Sequence, residues 1–124
     1  MPSRILIVEP DSNAQATLVE TLVKYEIVTA ANAPQAIEMA DEQGIDMVIM
    51  EMSLAGHSGM EFLYEFRTYT DWIDVPVVVF SSVKLDRDIT DSRTWEQLNV
   101  ASYLYKPSTS LEKLKSVVDK LFEP

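Results

Sequence analysis

An α/β domain with a parallel sheet covered on both faces is predicted by three features of this 124-residue chain. Five short apolar runs alternate with amphipathic segments, the pattern of βα repeats. The runs are nearly continuous rather than alternating in polarity, as strands buried on both faces require. Capping-box patterns recur where the helices should begin. Five βα units in about 120 residues make one small doubly wound domain spanning 1–124, within the ordinary size of a single domain. No linker, internal repeat or low-complexity stretch interrupts it.

Each element follows from its local pattern. Arg4 to Val8 reads as a buried strand. Asn13 to Lys24 reads as a helix with Ala14, Leu18, Val19, Leu22 and Val23 inward at helical spacing. Glu26 to Ala30 is the second strand, and Ala33 to Gln43 a helix carrying Ala36, Ile37 and Ala40 on one face. Met47 to Met50 is the third strand. Gly59 to Thr68 is a helix with Phe62, Leu63 and Phe66 inward. Val75 to Phe80 is the fourth strand, where Pro76 is tolerable only near the start. Asp88 to Leu98 reads as a polar helix and Ser102 to Tyr105 as the fifth strand. Leu111 to Phe122 closes the chain as a helix with Leu114, Val117, Val118, Leu121 and Phe122 inward. The expected caps are Ser12-x-x-Gln15, Asn32-x-x-Gln35, Ser58-x-x-Glu61 and Thr109-x-x-Glu112, whose side-chain oxygens would accept from orphan amides of the first turn.

Composition excludes several function classes. The chain is 47% hydrophobic and 24% charged, an ordinary globular balance. Its 20 acidic against 10 basic residues give a formal charge of −10, which argues against direct binding of nucleic acid or of anionic membranes. Without cysteine there is no disulfide, thiolate metal site or cysteine nucleophile. No apolar run approaches the roughly 18 residues of a membrane span, and Met1-Pro2-Ser3-Arg4 enters a strand without a signal-peptide pattern. A cytoplasmic location is the expectation.

In a parallel sheet all strands end on one edge, and such edges carry the chemistry of open α/β folds. Glu9, Glu51, Ser81 and Lys106 follow strands and should converge there. Glu51 closes the run Ile45-Asp46-Met47-Val48-Ile49-Met50. His57, the sole histidine, lies in a polar loop where no metal or catalytic role is expected. Trp72 and Trp95 fall in polar stretches and are expected to pack locally, Trp95 with a possible part in a partner contact.

Five quoted segments together carry a family resemblance. They are Ile5-Leu6-Ile7-Val8-Glu9-Pro10-Asp11, Asp46-Met47-Val48-Ile49-Met50-Glu51, Leu54-Ala55-Gly56-His57-Ser58-Gly59-Met60-Glu61, Pro76-Val77-Val78-Val79-Phe80-Ser81-Ser82 and Tyr103-Leu104-Tyr105-Lys106-Pro107. In order and spacing the chain resembles the response-regulator receiver domain of two-component signalling over nearly its whole length. The resemblance implies a flavodoxin-like five-stranded sheet of order 2-1-3-4-5. It also implies an aspartate that accepts a phosphoryl group from a sensor kinase, an acid pair holding Mg²⁺, a hydroxyl and a lysine on the phosphoryl oxygens, and a switch aromatic.

Carried over singly, Ser81 matches the hydroxyl, with Ser82 as competitor, and Tyr103 matches the aromatic. Lys106 matches the lysine, Pro107 follows it with an expected cis bond, and Glu9 matches the first acid. Asn99 stands where a helix-ending glycine is usual and tolerates the left-handed conformation.

Two positions depart from the pattern. Glu51 occupies the phosphoacceptor place, and Pro10 the second acid's, leaving Asp11 one residue along as the remaining metal candidate or as a helix cap. Mg²⁺ demands near-octahedral oxygen geometry. Glutamate displaces the carboxylate by about 1.5 Å, and about 1 Å of misplacement already costs about 100-fold. A receiver variant without ordinary phosphoaspartate chemistry is therefore expected. It would act by protein contact rather than as an enzyme, with Glu51 reaching toward Lys106 and Ser81. Its partners, a sensor kinase or output protein, would bind through the fourth helix, fifth strand and last helix, and a homodimer is a further option. The Ser81–Tyr103 segment is longer than the family's, which puts the usual dimer mode in doubt. Two alternatives stand beside this one: a working phosphoacceptor with a rearranged Mg²⁺ site using Asp11, and a small enzyme on the same fold, against which the lack of a glycine-rich phosphate loop speaks.

Overall fold

The computed structural model describes residues 3–54, 56–86 and 91–123. Its main sheet comprises β1 (Arg4–Val8), β2 (Glu26–Ala30), β3 (Met47–Met50), β4 (Val77–Ser81) and β5 (Val100–Tyr105). All neighbours pair in parallel, in the order β2-β1-β3-β4-β5. The helices are α1 (Ser12–Thr21), α2 (Ala33–Gln43), α3 (Gly59–Phe66), α4 (Arg93–Leu98) and α5 (Leu111–Phe122). This is the doubly wound flavodoxin-like arrangement expected. The fourth helix is shorter than the expected 88–98: it begins at Arg93, where the Ser92 side chain accepts from Trp95 N and caps it, and Asp91 lies in a turn; residue 88 itself lies outside the described residues.

Side chains alternate across a strand, so each strand serves two cores. Leu6 and Val8, Val48 and Met50, and Val77 and Val79 face one layer, packed with Ala36 and Ala40 of α2, Phe62, Leu63 and Phe66 of α3, and Leu98 of α4. Ile5 and Ile7, Met47 and Ile49, and Val78 and Phe80 face the other, with Leu18 and Leu22 on the α1 side and Leu114 and Val118 of α5. The three central strands β1, β3 and β4 are buried on both faces, which is why their sequences show no polar alternation, while the edge strands β2 and β5 are half-buried.

Several local expectations need correction. Val19 and Val23 are exposed, Val23 at 82%. Helix α1 stops at Thr21 and meets the sheet along the narrow Leu18–Leu22 line, so residues one position further round point outward. Leu121 is exposed for the same reason, on an α5 whose inward line is Leu114 and Val118. Trp72 packs locally as expected, buried with its ring 4.9 Å from that of Phe66. Two caps shift by one residue: Asp11 rather than Ser12 accepts from an amide at the start of α1, and Ser110 rather than Thr109 caps α5. Asn32 and Ser58 cap α2 and α3 as expected. Asn99 ends α4 at φ 50°, in the left-handed region.

Gly59 sets the start of α3 against the rim. Its amide donates to Met52 O at 2.7 Å. A Cβ there would lie 2.7 Å from Met52 Cα and 2.8 Å from Met52 Sδ. Only glycine lets the helix approach this closely. Gly59→Ala is expected to lower stability by about 1–3 kcal/mol through overpacking. Urea unfolding at constant m-value checks this, and an unmoved midpoint would contradict it.

Candidate functional site

Sheet register builds the rim. The row Val8, Ala30, Met50 and Val79 is aligned across four strands. One residue further, Glu9 N still donates to Ala30 O at 2.9 Å and Glu51 N to Val8 O at 3.0 Å. Both acids therefore leave the sheet at the same level. On the other side Ser81 is paired with Tyr105, which puts Lys106 just past the edge. Glu9, Glu51, Ser81 and Lys106 meet at this carboxyl edge, and the first three are buried, Glu9 at 3% and Glu51 at 5% exposure.

The Glu51 carboxylate is the centre of the web. Its Oε2 accepts from the Ser81 hydroxyl, from Met52 N at 2.6 Å and from Ser53 N at 3.3 Å. Its Oε1 accepts from Ser82 N and the Ser82 hydroxyl, each at 3.1 Å, and from Lys106 Nζ at 3.1 Å. An ionised carboxylate offers about four lone-pair sites, and six donors converge on this one. Burial alone pushes the Glu51 carboxyl upward. The Ser81 hydroxyl, the Ser82 and Ser53 amides and Lys106 outweigh it and hold the carboxyl down at about 2.

Lys106 bridges two acids. Its Nζ is 2.6 Å from Glu9 Oε1 as well as 3.1 Å from Glu51 Oε1. Burial pulls the ammonium down, but the bonds to Glu9 and then Glu51 raise it above its ordinary value. The expected cis bond to Pro107 is not found; the bond is trans. Lys106–Ser108 forms a 3₁₀ turn with Pro107 in its first positions, where the fixed φ of proline suits a helical start.

The remaining candidates lie around this centre. Tyr103 is partly buried and its hydroxyl donates to Val83 O. Val83 N in turn donates to the Ser81 hydroxyl at 2.9 Å. A continuous chain thus runs from Glu51 through Ser81 and Val83 to Tyr103, with the Trp95 ring 6.2 Å beyond. Asp11 is exposed and its carboxylate accepts from Asn13 N at 3.0 Å, as a helix cap. Pro10 is exposed.

Magnesium is the ion that the fold family implies, and the residues present do not fit it. The space between Glu9 and Glu51 holds the Lys106 ammonium. Glu9 Oε2 accepts from Asp11 N at 3.2 Å, Glu51 is saturated, and Pro10 supplies no oxygen donor from its side chain.

Sequence reasoning missed two contributors. Ser82 was weighed only as a rival to Ser81, yet both hydroxyls bind Glu51, one on each oxygen; the Ser-Ser doublet at a strand end was the available signal. Arg67 also escaped notice. Its guanidinium donates to Leu98 O, Trp72 O, Ile73 O, Val75 O and Asn99 O, tying the end of α3 to the start of β4 and the end of α4. It is the sole Lys or Arg between Lys24 and Lys84, which marks it in retrospect.

A parallel 2-1-3-4-5 sheet whose acids, hydroxyl and lysine meet at this edge has the architecture of a signalling receiver. The family model described as response regulator receiver domain matches residues 5–119, and the chain belongs to that family, which serves two-component signalling. Regulatory protein VanR of Enterococcus faecium is 28% identical over 124 residues, covering 98% of this chain and 51% of that protein. Sporulation initiation phosphotransferase F of Bacillus subtilis is 26% identical over 122 residues, covering 97% and 94% respectively. The solved structure of chemotaxis response regulator CheY4 of Vibrio cholerae superposes with a TM-score of 0.85 at 18% identity, over 98% of this chain and 100% of that one. The chain spans about half the length of several curated relatives that it matches, VanR among them. Among the described residues no helix is long and apolar enough to cross a membrane.

Proposed function

We propose that this receiver domain signals without a phosphoaspartate, with Glu51 as a resident acid in the phosphoacceptor place, and that it acts by protein–protein contact rather than as an enzyme. The observation that carries this reading is the simultaneous engagement of one Glu51 carboxylate by the Ser81 hydroxyl and the Lys106 ammonium. Those are the two groups that the family resemblance assigns to phosphoryl oxygens. A carboxylate carries one negative charge against roughly 1.5 to 2 for a phosphoryl group, so the imitation is partial in charge while using the same donors.

The consequence lies in the loop after β4. Ser82 and Val83 are held through Glu51 and Ser81, and Val83 O is held by Tyr103. The domain would keep this loop, and the α4–β5–α5 face beside it, in one arrangement available to a kinase, an output protein or a second copy. Incubation with acetyl phosphate and Mg²⁺, followed by intact mass measurement, tests the reading. The expected result is an unmodified mass. A stoichiometric, acid-labile phosphoryl adduct overturns it and favours a working acceptor with a rearranged site.

A further inference from the structure

We propose that Lys106 is the resident cation of this rim and that its ammonium keeps divalent cations out of the place between Glu9 and Glu51. The inference deepens the reading of Glu51 as resident acid and rests on it. Two carboxylates buried at 3% and 5% exposure at one sheet edge require a compensating charge. The structure supplies it from the chain itself, with Nζ within hydrogen-bond distance of an oxygen of each acid.

Three further features hold the ammonium there. The Lys106 backbone is fixed in the 3₁₀ turn, where its carbonyl accepts from Thr109 N at 3.2 Å. Its Nζ lies 5.7 Å from the centre of the Phe80 ring, a cation–π distance. The lysine side chain is only 25% exposed, so its head is largely withdrawn from water. A divalent ion has no comparable welcome. Octahedral coordination calls for several free oxygens at about 2.0–2.1 Å. Here Glu9 Oε2 is bound to Asp11 N, both Glu51 oxygens are bound three times, and the Asp11 carboxylate serves α1. An ion between Glu9 and Glu51 would have to displace Nζ and leave two like charges adjacent.

The gain of a site in a variant tests this. Lys106→Met keeps an unbranched apolar side chain over Phe80 but removes the charge, leaving Glu9 and Glu51 to seek another cation. Mn²⁺ binding, followed by electron paramagnetic resonance on the full chain, is expected to be undetectable at millimolar ion in the parent. In Lys106→Met it should appear at least about tenfold tighter than that limit, because the ion then relieves two uncompensated buried acids. Millimolar Mg²⁺ should raise the melting temperature of the variant and leave the parent unmoved. Mn²⁺ binding at this rim in the parent overturns the proposal, and so does a folded Lys106→Met that gains no Mn²⁺ affinity. If Lys106→Met does not fold, Lys106→Gln replaces it. Paramagnetic broadening of the Glu9 and Glu51 resonances in the parent decides the matter even without a variant, its presence overturning the proposal and its absence supporting it. Metal binding in the parent without a phosphoryl adduct would remove this inference and leave the Glu51 reading intact. A phosphoryl adduct formed in the presence of a chelator would instead remove the Glu51 reading and, with it, the inference that rests on it.

Discussion

Glu51→Gln is expected to lower the free energy of unfolding by about 3 kcal/mol at neutral pH, and by little at pH 2. Burial disfavours the charged carboxyl, yet Ser81, the Ser82 and Ser53 amides and Lys106 bring it from 4.5 to about 2 in the folded state. A drop of this size corresponds to about 3 kcal/mol. Because the folded value is depressed, the contribution is fully present above the unfolded value and is lost as pH falls from about 5 toward 2. Lys106, raised by Glu9 and Glu51 against the opposing effect of burial, has the opposite sign: its contribution is present below its ordinary value and is lost as pH rises through the folded one. The variant should therefore lose stability at neutral pH and show a flattened acid limb. Glutamine keeps the size of the side chain but turns an amide toward the donors of Ser82 or Ser81. Urea melts at several pH values check this. A parent–variant gap that stays constant from neutral pH to about pH 2.5 would show that the ionised carboxylate is not what the web stabilises.

The second large effect belongs to Arg67, far from any chemistry. Arg67→Ala is expected to cost about 3 kcal/mol, because each carbonyl bond to a charged donor is worth roughly 1.5–3 kcal/mol and water replaces only the exposed ones. Leu98 O at 2.8 Å, Trp72 O at 2.7 Å and Val75 O at 2.8 Å are its partly buried acceptors. Arg67→Lys should recover little, since a single ammonium cannot reproduce a planar fork reaching carbonyls from three segments. Hydrogen exchange offers a second readout. Protection should fall first at the α4–β5 turn around Leu98 and Asn99, where Arg67 supplies the cross-link. A lysine variant as stable as the parent would show that charge, not geometry, is what matters there.

The architecture was legible because its signals are local. Continuous apolar runs marked the strands, and Asn32 and Ser58 marked helix starts by donor–acceptor chemistry within one turn. Asn99 announced a left-handed residue through its own short side chain. Misjudgements occurred where a neighbouring element decides. Val19 is apolar at helical spacing, but whether it is buried depends on how α1 lies on the sheet. Trp72 was expected to pack locally and does, but only the docking of its loop against α3 makes Phe66 its partner.

The candidate site divides in the same way. From the amino-acid order alone came the parallel sheet, the shared edge of its strand ends, and the identity of the groups there: Glu9, Glu51, Ser81 and Lys106, with Pro10 withholding an acid. The sheet, its shared edge and the groups on it follow from residue type and strand period, whereas Pro10 in the place of an acid follows from the family resemblance. Only the folded chain decided that Glu51 engages both serines at once, that Lys106 spans two acids, and that Asp11 turns away to cap α1. Those pairings join residues 30, 55 and 97 positions apart. Their distances are set by strand register and by the turns that carry each side chain over the rim, and no periodicity along the chain encodes either.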